Sequence, residues 1–414
     1  MIAEGSADGG TERTGADETG TTGDETGTTG DETGTTGDET GTTGDIHAQR
    51  RGRASDRLRE VDADGLICVP GRNLQYLTGV TVEPDERHFF LVVPAADLPR
   101  DESVLFVPAL YETQLRSETT VADVRTWTDG DDPRAGVRDL LAECGLRDGR
   151  LLVDDTMWAT FTQDLRAAAP DAAWGLASEA LAPLRVRKDE SELAAMRAAA
   201  AAADATVDDL RDLGADAVGM TEAELADWIV DRMEAHGGRG AAFDPIVGSG
   251  PNGAKPHHGH GDREIEAGDP VVCDFGTRVD GYPSDQTRTL VFGGDPPAAY
   301  AGLHEVVREA QAAAVDAVEP GVPAEAVDRV ARAVIEDAGY GDAFVHRTGH
   351  GVGLDVHEEP YVVAGNDRPL EPGMVFSVEP GIYLDGRFGC RIEDLVVVTD
   401  DGCERLNETD RGWR

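Results

Sequence analysis

The architecture is indicated most strongly by an apolar run that contains an acid, Val271-Val272-Cys273-Asp274-Phe275. A turn rich in glycine and aspartate follows at residues 276–281, and Asp285 then leads into the β-type run Gln286-Thr287-Arg288-Thr289-Leu290. Two such runs joined by a tight turn predict a pair of antiparallel strands. The two carboxylates could then point to the same side of the sheet.

Two further acids lie in similarly apolar surroundings. Glu379 follows Met374-Val375-Phe376-Ser377-Val378, and Glu393 lies in the run Arg391-Ile392-Glu393-Asp394-Leu395-Val396-Val397. A buried carboxylate is costly unless it is paired or binds a metal. Four converging carboxylates would repel one another, and two divalent ions would offset their charge. Any one of these acids, taken alone, could equally be solvated or paired with an arginine.

Six of the ten histidines lie in two short stretches, residues 257–260 and 346–357. The second stretch surrounds His350 with glycines, which permit close approach of the backbone and unusual dihedral angles. An imidazole among carboxylates suits a divalent transition-metal ion. Three histidines are interpreted instead as exposed residues of loops or helices, namely His258, His260 and His304.

The surrounding sequence predicts two domains with a boundary near residue 183. Residues 53–182 alternate short apolar runs with helical stretches, which predicts a small α/β domain. Residues 183–403 group helices and strands in blocks, an α+β pattern with mainly antiparallel pairing. Strands are predicted at 65–69, 88–94, 104–108, 151–153, 271–275, 287–292, 374–378 and 392–399. Helices are predicted at 137–144, 193–213, 297–318 and 324–338, with another opened by the capping box of Thr221 and Glu224.

The N-terminal residues 1–50 are predicted to be a disordered acidic tail. Residues 14–45 repeat threonine, glycine, aspartate and glutamate with a period of seven, and no apolar residue occupies the heptad positions of a coiled coil. Such a segment cannot bury enough apolar surface to offset the entropy lost on ordering.

The composition is strongly acidic throughout. The 414 residues include 37 Lys and Arg against 81 Asp and Glu, for a net charge of −44. Residues 1–50 contribute −10, so −34 remains on the rest of the chain. This balance argues against nucleic acid and anionic membranes as partners. It favours adaptation to a high-salt cytosol, although a cationic partner is an alternative.

The sequence also predicts a cytoplasmic location. We find no signal peptide and no apolar stretch long enough to span a membrane. Five cysteines without a CxxC pair suggest neither a disulfide framework nor a zinc ribbon, and they fit a reducing compartment.

The motifs resemble those of the pita-bread (M24-type) metallopeptidases, which include Xaa-Pro aminopeptidase (aminopeptidase P), Xaa-Pro dipeptidase (prolidase) and methionine aminopeptidase. The resemblance is carried by five segments, namely Val272-Cys273-Asp274-Phe275-Gly276, Ser284-Asp285-Gln286-Thr287-Arg288-Thr289, Thr348-Gly349-His350-Gly351-Val352-Gly353, Val378-Glu379-Pro380-Gly381-Ile382-Tyr383 and Arg391-Ile392-Glu393-Asp394.

The N-terminal region narrows the resemblance to the proline-specific branch. Asn73-Leu74-Gln75-Tyr76-Leu77-Thr78-Gly79 and Glu86-Arg87-His88-Phe89-Phe90 look like the creatinase-type N-terminal domain, which methionine aminopeptidases generally lack. The implied fold is therefore a curved antiparallel sheet covered by helices, preceded by a smaller RNase H-like α/β domain. With the acidic composition, the resemblance suggests a halophilic member that forms a homodimer.

The resemblance implies two divalent ions, with Mn²⁺ favoured and Co²⁺ or Zn²⁺ as substitutes. Asp274 would chelate one ion, His350 and Glu379 the other, and Asp285 and Glu393 would bridge them. A bridging hydroxide would attack the carbonyl that precedes proline in a peptide substrate, and Glu379 would shuttle the proton.

The resemblance also assigns residues around the ions. His357 would stabilise the tetrahedral intermediate, and His257 would act at the proline side of the substrate. His346 would also contact the substrate. Tyr383 and Arg391 would support the ions from behind, or serve only in packing and charge pairing.

Several alternatives remain open on the same fold. A metal-dependent lyase would keep the metal ligands, whereas a creatinase-like C–N hydrolase or a non-catalytic binding protein would lack them. The choice between an aminopeptidase P and a dipeptidase is also open, because it depends on whether the site closes over the carboxylate of a dipeptide.

Overall fold

The computed structural model describes residues 43–98 and 100–414. Most of the predicted disordered tail, residues 1–42, therefore lies outside the described residues. Residues 43–50, which the sequence analysis placed in the tail, instead begin helix α1 (Thr43–Glu60). This helix is held by contacts the sequence did not indicate: Arg50 donates to Asp189 over 2.8 Å, and Arg51 donates to the Leu77 carbonyl over 2.8 Å.

The N-terminal domain is built on one mixed sheet. After α1 its elements are β1 (Gly65–Cys68), α2 (Arg72–Thr78), β2 (Phe90–Pro94), β3 (Val104–Pro108), α3 (Glu112–Glu118), β4 (Asp123–Trp127), α4 (Pro133–Glu143), β5 (Arg150–Val153), α5 (Ala159–Ala168), β6 (Ala173–Leu176) and α6 (Ser178–Arg185). The strand order is β4-β3-β2-β1-β5-β6, with β3–β4, β1–β5 and β5–β6 parallel and the other pairs antiparallel.

The central strands of this sheet are buried on both faces. Along β2, for example, Leu91 and Val93 pack in one core cluster, while Phe90 and Val92 pack in another. Alternate residues of a strand point to opposite faces, so an unbroken apolar run is expected where both faces are covered. The predicted α/β class of this domain is thereby confirmed.

The C-terminal domain is α+β with antiparallel pairing, as predicted. Its elements are α7 (Glu190–Leu213), α8 (Glu222–Ala235), β7 (Ile246–Ser249), β8 (Pro270–Phe275), β9 (Arg278–Val279), β10 (Tyr282–Pro283), β11 (Gln286–Val291), α9 (Tyr300–Asp316), α10 (Ala324–Asp337), β12 (Gly349–Gly351), β13 (Glu358–Val362), β14 (Val375–Val378), β15 (Gly381–Leu384), β16 (Phe388–Arg391), β17 (Asp394–Val398) and β18 (Cys403–Arg405). The larger sheets have the orders β11-β8-β7 and β13-β12-β14-β17-β18. Within the described part of the chain, no helix combines the length and apolar character needed to cross a bilayer.

The structure differs from the sequence-based prediction at Glu393 and at His304. The strand predicted at 392–399 begins only at Asp394, because the Glu393 amide donates to the Thr287 carbonyl of β11 over 3.1 Å and leaves the ladder. His304 is buried at 3% exposure, so its interpretation as an exposed residue is wrong. It shares the buried stripe of α9 with Tyr300, Leu303 and Val307, spaced as a helix face requires.

A cluster of buried ion pairs surrounds Asp394, the residue that follows Glu393. Arg288 donates to the Glu393 carbonyl over 2.6 Å and to Asp394 over 2.8 Å. Asp394 also accepts from Arg405 and Arg411, each over 2.7 Å. Burial acts to raise the pKa of Asp394, but the surrounding guanidinium groups outweigh it and hold the pKa below its usual value.

We expect Asp394→Asn to destabilise the protein by about 3–5 kcal/mol, because breaking one side of a buried ion pair leaves uncompensated charge. The free energy of unfolding from urea titration is the measurement. The matched control is Glu305→Gln in the exposed Glu305–Arg308 pair of α9, for which we expect less than about 1 kcal/mol. Equal losses in the two variants would contradict this account of the cluster.

Candidate metal centre

The structure brings the five predicted ligands together in one cavity of about 630 Å³. At its centre, ligand atoms of Asp285, His350 and Glu393 all lie within 4.8 Å of one another. The His350 Nε2 atom is 3.7 Å from Asp285 Oδ2 and 3.4 Å from Glu379 Oε1. Asp274 lines the same cavity. Residues separated by more than 100 positions in sequence thus converge on one point.

Most of the acids sit where a strand is interrupted. Asp274 lies in β8, but Asp285 immediately precedes β11, Glu379 lies between β14 and β15, and Glu393 lies between β16 and β17. Pro380 follows Glu379 and has no amide hydrogen to continue a ladder. Breaks of this kind turn side chains out of the regular alternation, so acids from several strands can reach one centre.

Glycines make the His350 strand fit. A Cβ atom on Gly349 would overlap the Ser377 carbonyl, and one on Gly351 would overlap the Glu359 carbonyl. The two neighbouring strands can therefore approach β12 only because these positions lack side chains. The close packing fixes the backbone on both sides of His350.

The carboxylates are destabilised as anions by their surroundings. Burial, followed by the charges of Asp274 and Glu379, raises the pKa of Asp285. Burial, followed by the charge of Asp285, raises the pKa of Glu393. Burial also raises the pKa of Glu379, to about 7. A bound cation would remove this penalty, since opposite charge favours the ionised form.

The residues present fit a divalent cation. The Oδ1 atom of Asp274 is buried without a hydrogen-bond partner, while its Oδ2 atom accepts from Arg391. A buried carboxylate oxygen without a partner is uncommon and calls for an ion or another ligand. Several carboxylates with one imidazole form a donor set suited to metals such as Mn²⁺, Co²⁺ or Zn²⁺.

His350 is held in the form that a metal requires. Its Nδ1 atom is 3.2 Å from the Gly351 carbonyl, which fixes Nδ1 as the donor and leaves the Nε2 lone pair facing the acids. Burial, with a smaller contribution from His357, lowers the pKa of His350 to about 3. The imidazole is therefore neutral and available as a ligand.

Arg391 and Tyr383 lie beside the acids and are joined to each other by a hydrogen bond. Arg391 binds Asp274 and donates to Thr287 Oγ1 over 3.0 Å and to Tyr383 Oη over 2.8 Å. Thr287 Oγ1 in turn donates to Glu393 Oε2 over 2.6 Å. One guanidinium therefore orients two of the acids, one directly and one through a threonine.

His346 lines the cavity, but both of its ring nitrogens are engaged within the protein. Its Nδ1 atom donates to the Arg347 carbonyl over 2.7 Å, and its Nε2 atom accepts from Tyr383 over 2.9 Å. Burial lowers the pKa of His346 to about 3, so the ring is neutral. This geometry gives His346 a place in the support of Tyr383, and only ring carbons remain to face a substrate.

His257 and His357 lie exposed on the cavity wall with free ring nitrogens. Within the described chain neither side chain forms a hydrogen bond. The His357 ring stands perpendicular to that of His350, with centroids 4.1 Å apart. Both histidines can therefore donate to a molecule bound beside the acids.

The contacts that hold the loop of His257 were not apparent from the sequence. Glu222 is completely buried at the start of α8, and it accepts from the Ser249 amide, from Asn252 and from His258 Nε2 over 2.7–3.2 Å. The interpretation of His258 as a plain exposed residue is therefore wrong. His260 is likewise half-buried, with Nδ1 2.8 Å from the Pro245 carbonyl. No local pattern marked Glu222, since an acid in the first turn of a helix is ordinary.

The chain is similar to known peptidases over most of its length. The model for metallopeptidase family M24 matches residues 194–400, and that for the creatinase/prolidase N-terminal domain matches residues 50–187. A probable dipeptidase PepE of Mycobacterium bovis is 43% identical over 87% of this chain and 94% of that protein. An Xaa-Pro dipeptidase of Lactobacillus helveticus is 37% identical over 82% of this chain and 91% of that protein. A solved prolidase from Thermococcus sibiricus superposes with a TM-score of 0.83 and 38% identity over 88% of this chain and 98% of that one.

We expect Glu393→Gln to weaken Mn²⁺ binding by at least about tenfold, because even indirect supports of a metal site typically contribute that much. Isothermal titration of the metal-free protein measures the affinity. The matched control is Glu404→Gln, which removes a half-exposed partner of Arg197 outside the cavity lining. Unchanged affinity in Glu393→Gln would mean that Glu393 is not a ligand.

Proposed function

The chain belongs to metallopeptidase family M24 and carries a creatinase/prolidase N-terminal domain, and on this premise we propose that it is an Xaa-Pro dipeptidase. Its family fixes the reaction class, hydrolysis of a peptide bond with divalent metal ions. The observation that carries the proposal is the convergence of Asp274, Asp285, His350, Glu379 and Glu393 in one cavity whose wall holds two histidines with free ring nitrogens.

The metal centre would hold two ions, with Mn²⁺ favoured by the largely oxygen donor set. Asp274 and His350 would each serve one ion, Glu379 would join His350, and Asp285 and Glu393 would serve both. When bound, the ions lower the pKa of a shared water and supply a hydroxide nucleophile near neutral pH.

The residues of the chain handle the protons and the developing charge. Glu379 would take the proton of the attacking water and return it to the leaving proline nitrogen. Its Oε1 atom accepts from Ser377 Oγ over 3.1 Å, which holds the carboxylate in one orientation. His357 would donate to the oxyanion of the tetrahedral intermediate, and His257 would contact the substrate from the opposite loop.

Proline specificity follows from the chemistry of the bond. The Xaa-Pro amide has no N–H, so peptidases that need this donor cannot hold it. In this cavity the exposed histidines can instead reach the carbonyl side of the scissile bond.

The side chain of Arg347 is placed to bind the C-terminal carboxylate of a dipeptide. The Arg347 side chain lines the cavity and lies 4.6 Å over the Tyr361 ring, and it forms no ion pair within the described chain. Arg391, by contrast, is committed to Asp274. A guanidinium at the edge of an acidic site, with no ion pair among the described residues, offers a bidentate contact for a C-terminal carboxylate. The names of the similar dipeptidases from Mycobacterium and Lactobacillus support the same choice over an aminopeptidase P.

The proposed setting is the salt-rich cytosol of a halophile, with the protein as a homodimer. The net charge of −44 supports the salt requirement, because like surface charges repel unless screened.

We expect the Mn²⁺ protein to cleave an Xaa-Pro dipeptide in preference to its C-terminal amide and to Xaa-Pro-Yaa-Zaa peptides. Arg347→Gln should lower kcat/KM for the dipeptide by about 10- to 100-fold, mainly through KM, because one charged hydrogen-bond partner is lost. The same substitution should not change kcat/KM for the C-terminal amide of the dipeptide.

The matched control is Arg387→Gln, which removes an exposed arginine that also lies over an aromatic ring. Faster cleavage of the tetrapeptide than of the dipeptide would point to an aminopeptidase P. Absence of any metal-dependent cleavage in molar salt would refute the peptidase assignment to Xaa-Pro substrates.

We expect the midpoint of thermal unfolding to rise between 0.1 M and 2 M KCl, because the screening length falls from about 10 Å at 0.1 M to about 3 Å at 1 M. Circular dichroism measures the midpoint. A non-ionic solute at equal osmolality is the control and should not reproduce the rise. A midpoint that is flat or falls with KCl would contradict adaptation to salt.

A further inference from the structure

His357 lies on a segment that separates two cavities. One is the metal cavity, and the other, of about 720 Å³, lies between the N-terminal domain and residues 355–361. His357 lines both. Since its ring forms no hydrogen bond within the described chain, its position depends on what holds the backbone on either side.

One guanidinium holds both sides of His357. Arg185, the last residue of α6, donates through Nη2 to Asp355 Oδ2 and to Glu358 Oε2, each over 2.7 Å. The two acids are placed two residues before and one residue after His357. The side chains of Arg185 and Glu358 are only 12% and 14% exposed, so their charged hydrogen bond is largely shielded from water, whereas Asp355 is 46% exposed.

The same guanidinium is also connected to the sheet of its own N-terminal domain. Arg185 Nη1 donates to Asn73 Oδ1 over 2.8 Å, and the Asn73 amide donates to Asp154 Oδ1 over 2.7 Å. Asp154 is fixed in turn by the Val69 amide, which donates to Oδ2 over 2.7 Å. Residues at the ends of β1 and β5 are thereby connected to the segment that carries His357.

A second positively charged side chain, that of Lys188, also binds Glu358. The Lys188 side chain is fully buried, and its Nζ atom donates to Glu358 Oε1 over 2.8 Å. Gly353 leaves the room for this carboxylate, since a Cβ atom at that position would overlap it. Both oxygens of Glu358 therefore have a cationic partner.

We propose that Arg185 is a positioning residue that fixes His357 over the metal centre by fastening residues 355–358 to the N-terminal domain. An arginine is required because its planar fork meets three acceptors at once, which a lysine ammonium on a flexible stem does not. This inference rests on the proposed role of His357 in Xaa-Pro hydrolysis, whereas the fastening itself is a structural statement that can be tested apart from activity.

The fastening is tested by hydrogen exchange of full-length Arg185→Lys protein loaded with Mn²⁺. We expect amides of residues 352–359 to exchange about 10- to 100-fold faster, because charged hydrogen bonds are lost. Amides of β8 and β14 should be unchanged. The matched control is Arg187→Lys, two residues further on, where the side chain is 57% exposed and pairs with Glu371. Unchanged exchange in residues 352–359 would overturn the proposal.

Glu358→Gln is the second variant, should Arg185→Lys unfold as a whole. It removes a charge from the same contacts while keeping the length of the side chain. Faster exchange confined to residues 352–359 supports the proposal, and exchange equal to that of the unsubstituted protein in this variant overturns it.

The consequence for catalysis is tested by kinetics in two backgrounds. We expect Arg185→Lys to lower kcat about tenfold with little change in KM or bound metal, and to have no further effect when His357→Gln is already present. The same fold loss in both backgrounds would show that Arg185 does not act through His357. If the unsubstituted protein cleaves no Xaa-Pro peptide, the proposed function fails, and the exchange measurement still decides whether Arg185 fastens the segment.

Discussion

Mutual repulsion among buried carboxylates is the constraint that organises the catalytic domain. Four acids share one cavity with a neutral imidazole, and burial raises the pKa of Asp285 and of Glu393. A fold that concentrates negative charge in this way needs two kinds of compensation. Divalent ions bound in the cavity would supply one, and Arg391, buried and in contact with Asp274, supplies the other. Without these positive charges, the acids at the strand interruptions would repel one another and destabilise the fold.

The compensation is arranged in layers that extend outward from the cavity. Arg391 and Thr287 orient the acids, and Arg288 with Asp394 holds the backbone of residue 393 from the far side of the sheet. The loops on the cavity wall have separate supports, Glu222 for the loop of His257 and Arg185 for the segment of His357. The acids and the two loops that carry His257 and His357 are therefore held by separate sets of contacts.

The sequence singled out the acids that the structure brings together in one cavity, because acids inside apolar strands conflict with the hydrophobic pattern, and such conflicts mark functional sites. The burial of His304 could also have been predicted from the sequence, since residues 300, 303, 304 and 307 follow the spacing of a helix face. The contacts of Arg185 could not have been predicted from the sequence, because its acid partners lie 170 and 173 positions away. Glu222 escaped for the same reason: its partners are brought near only by the folded loop at 249–258.

The scarcity of lysine has a practical consequence for work with this protein. Of its two lysines, Lys188 is sealed inside the protein, whereas Lys255 is exposed two residues before His257. Among side chains, amine-directed dyes, cross-linkers and resins would therefore couple at a single position, on the loop that forms one edge of the cavity. A fluorophore attached there would lie next to Pro256 and His257 of the cavity wall, and immobilisation through amines would place the support at this loop.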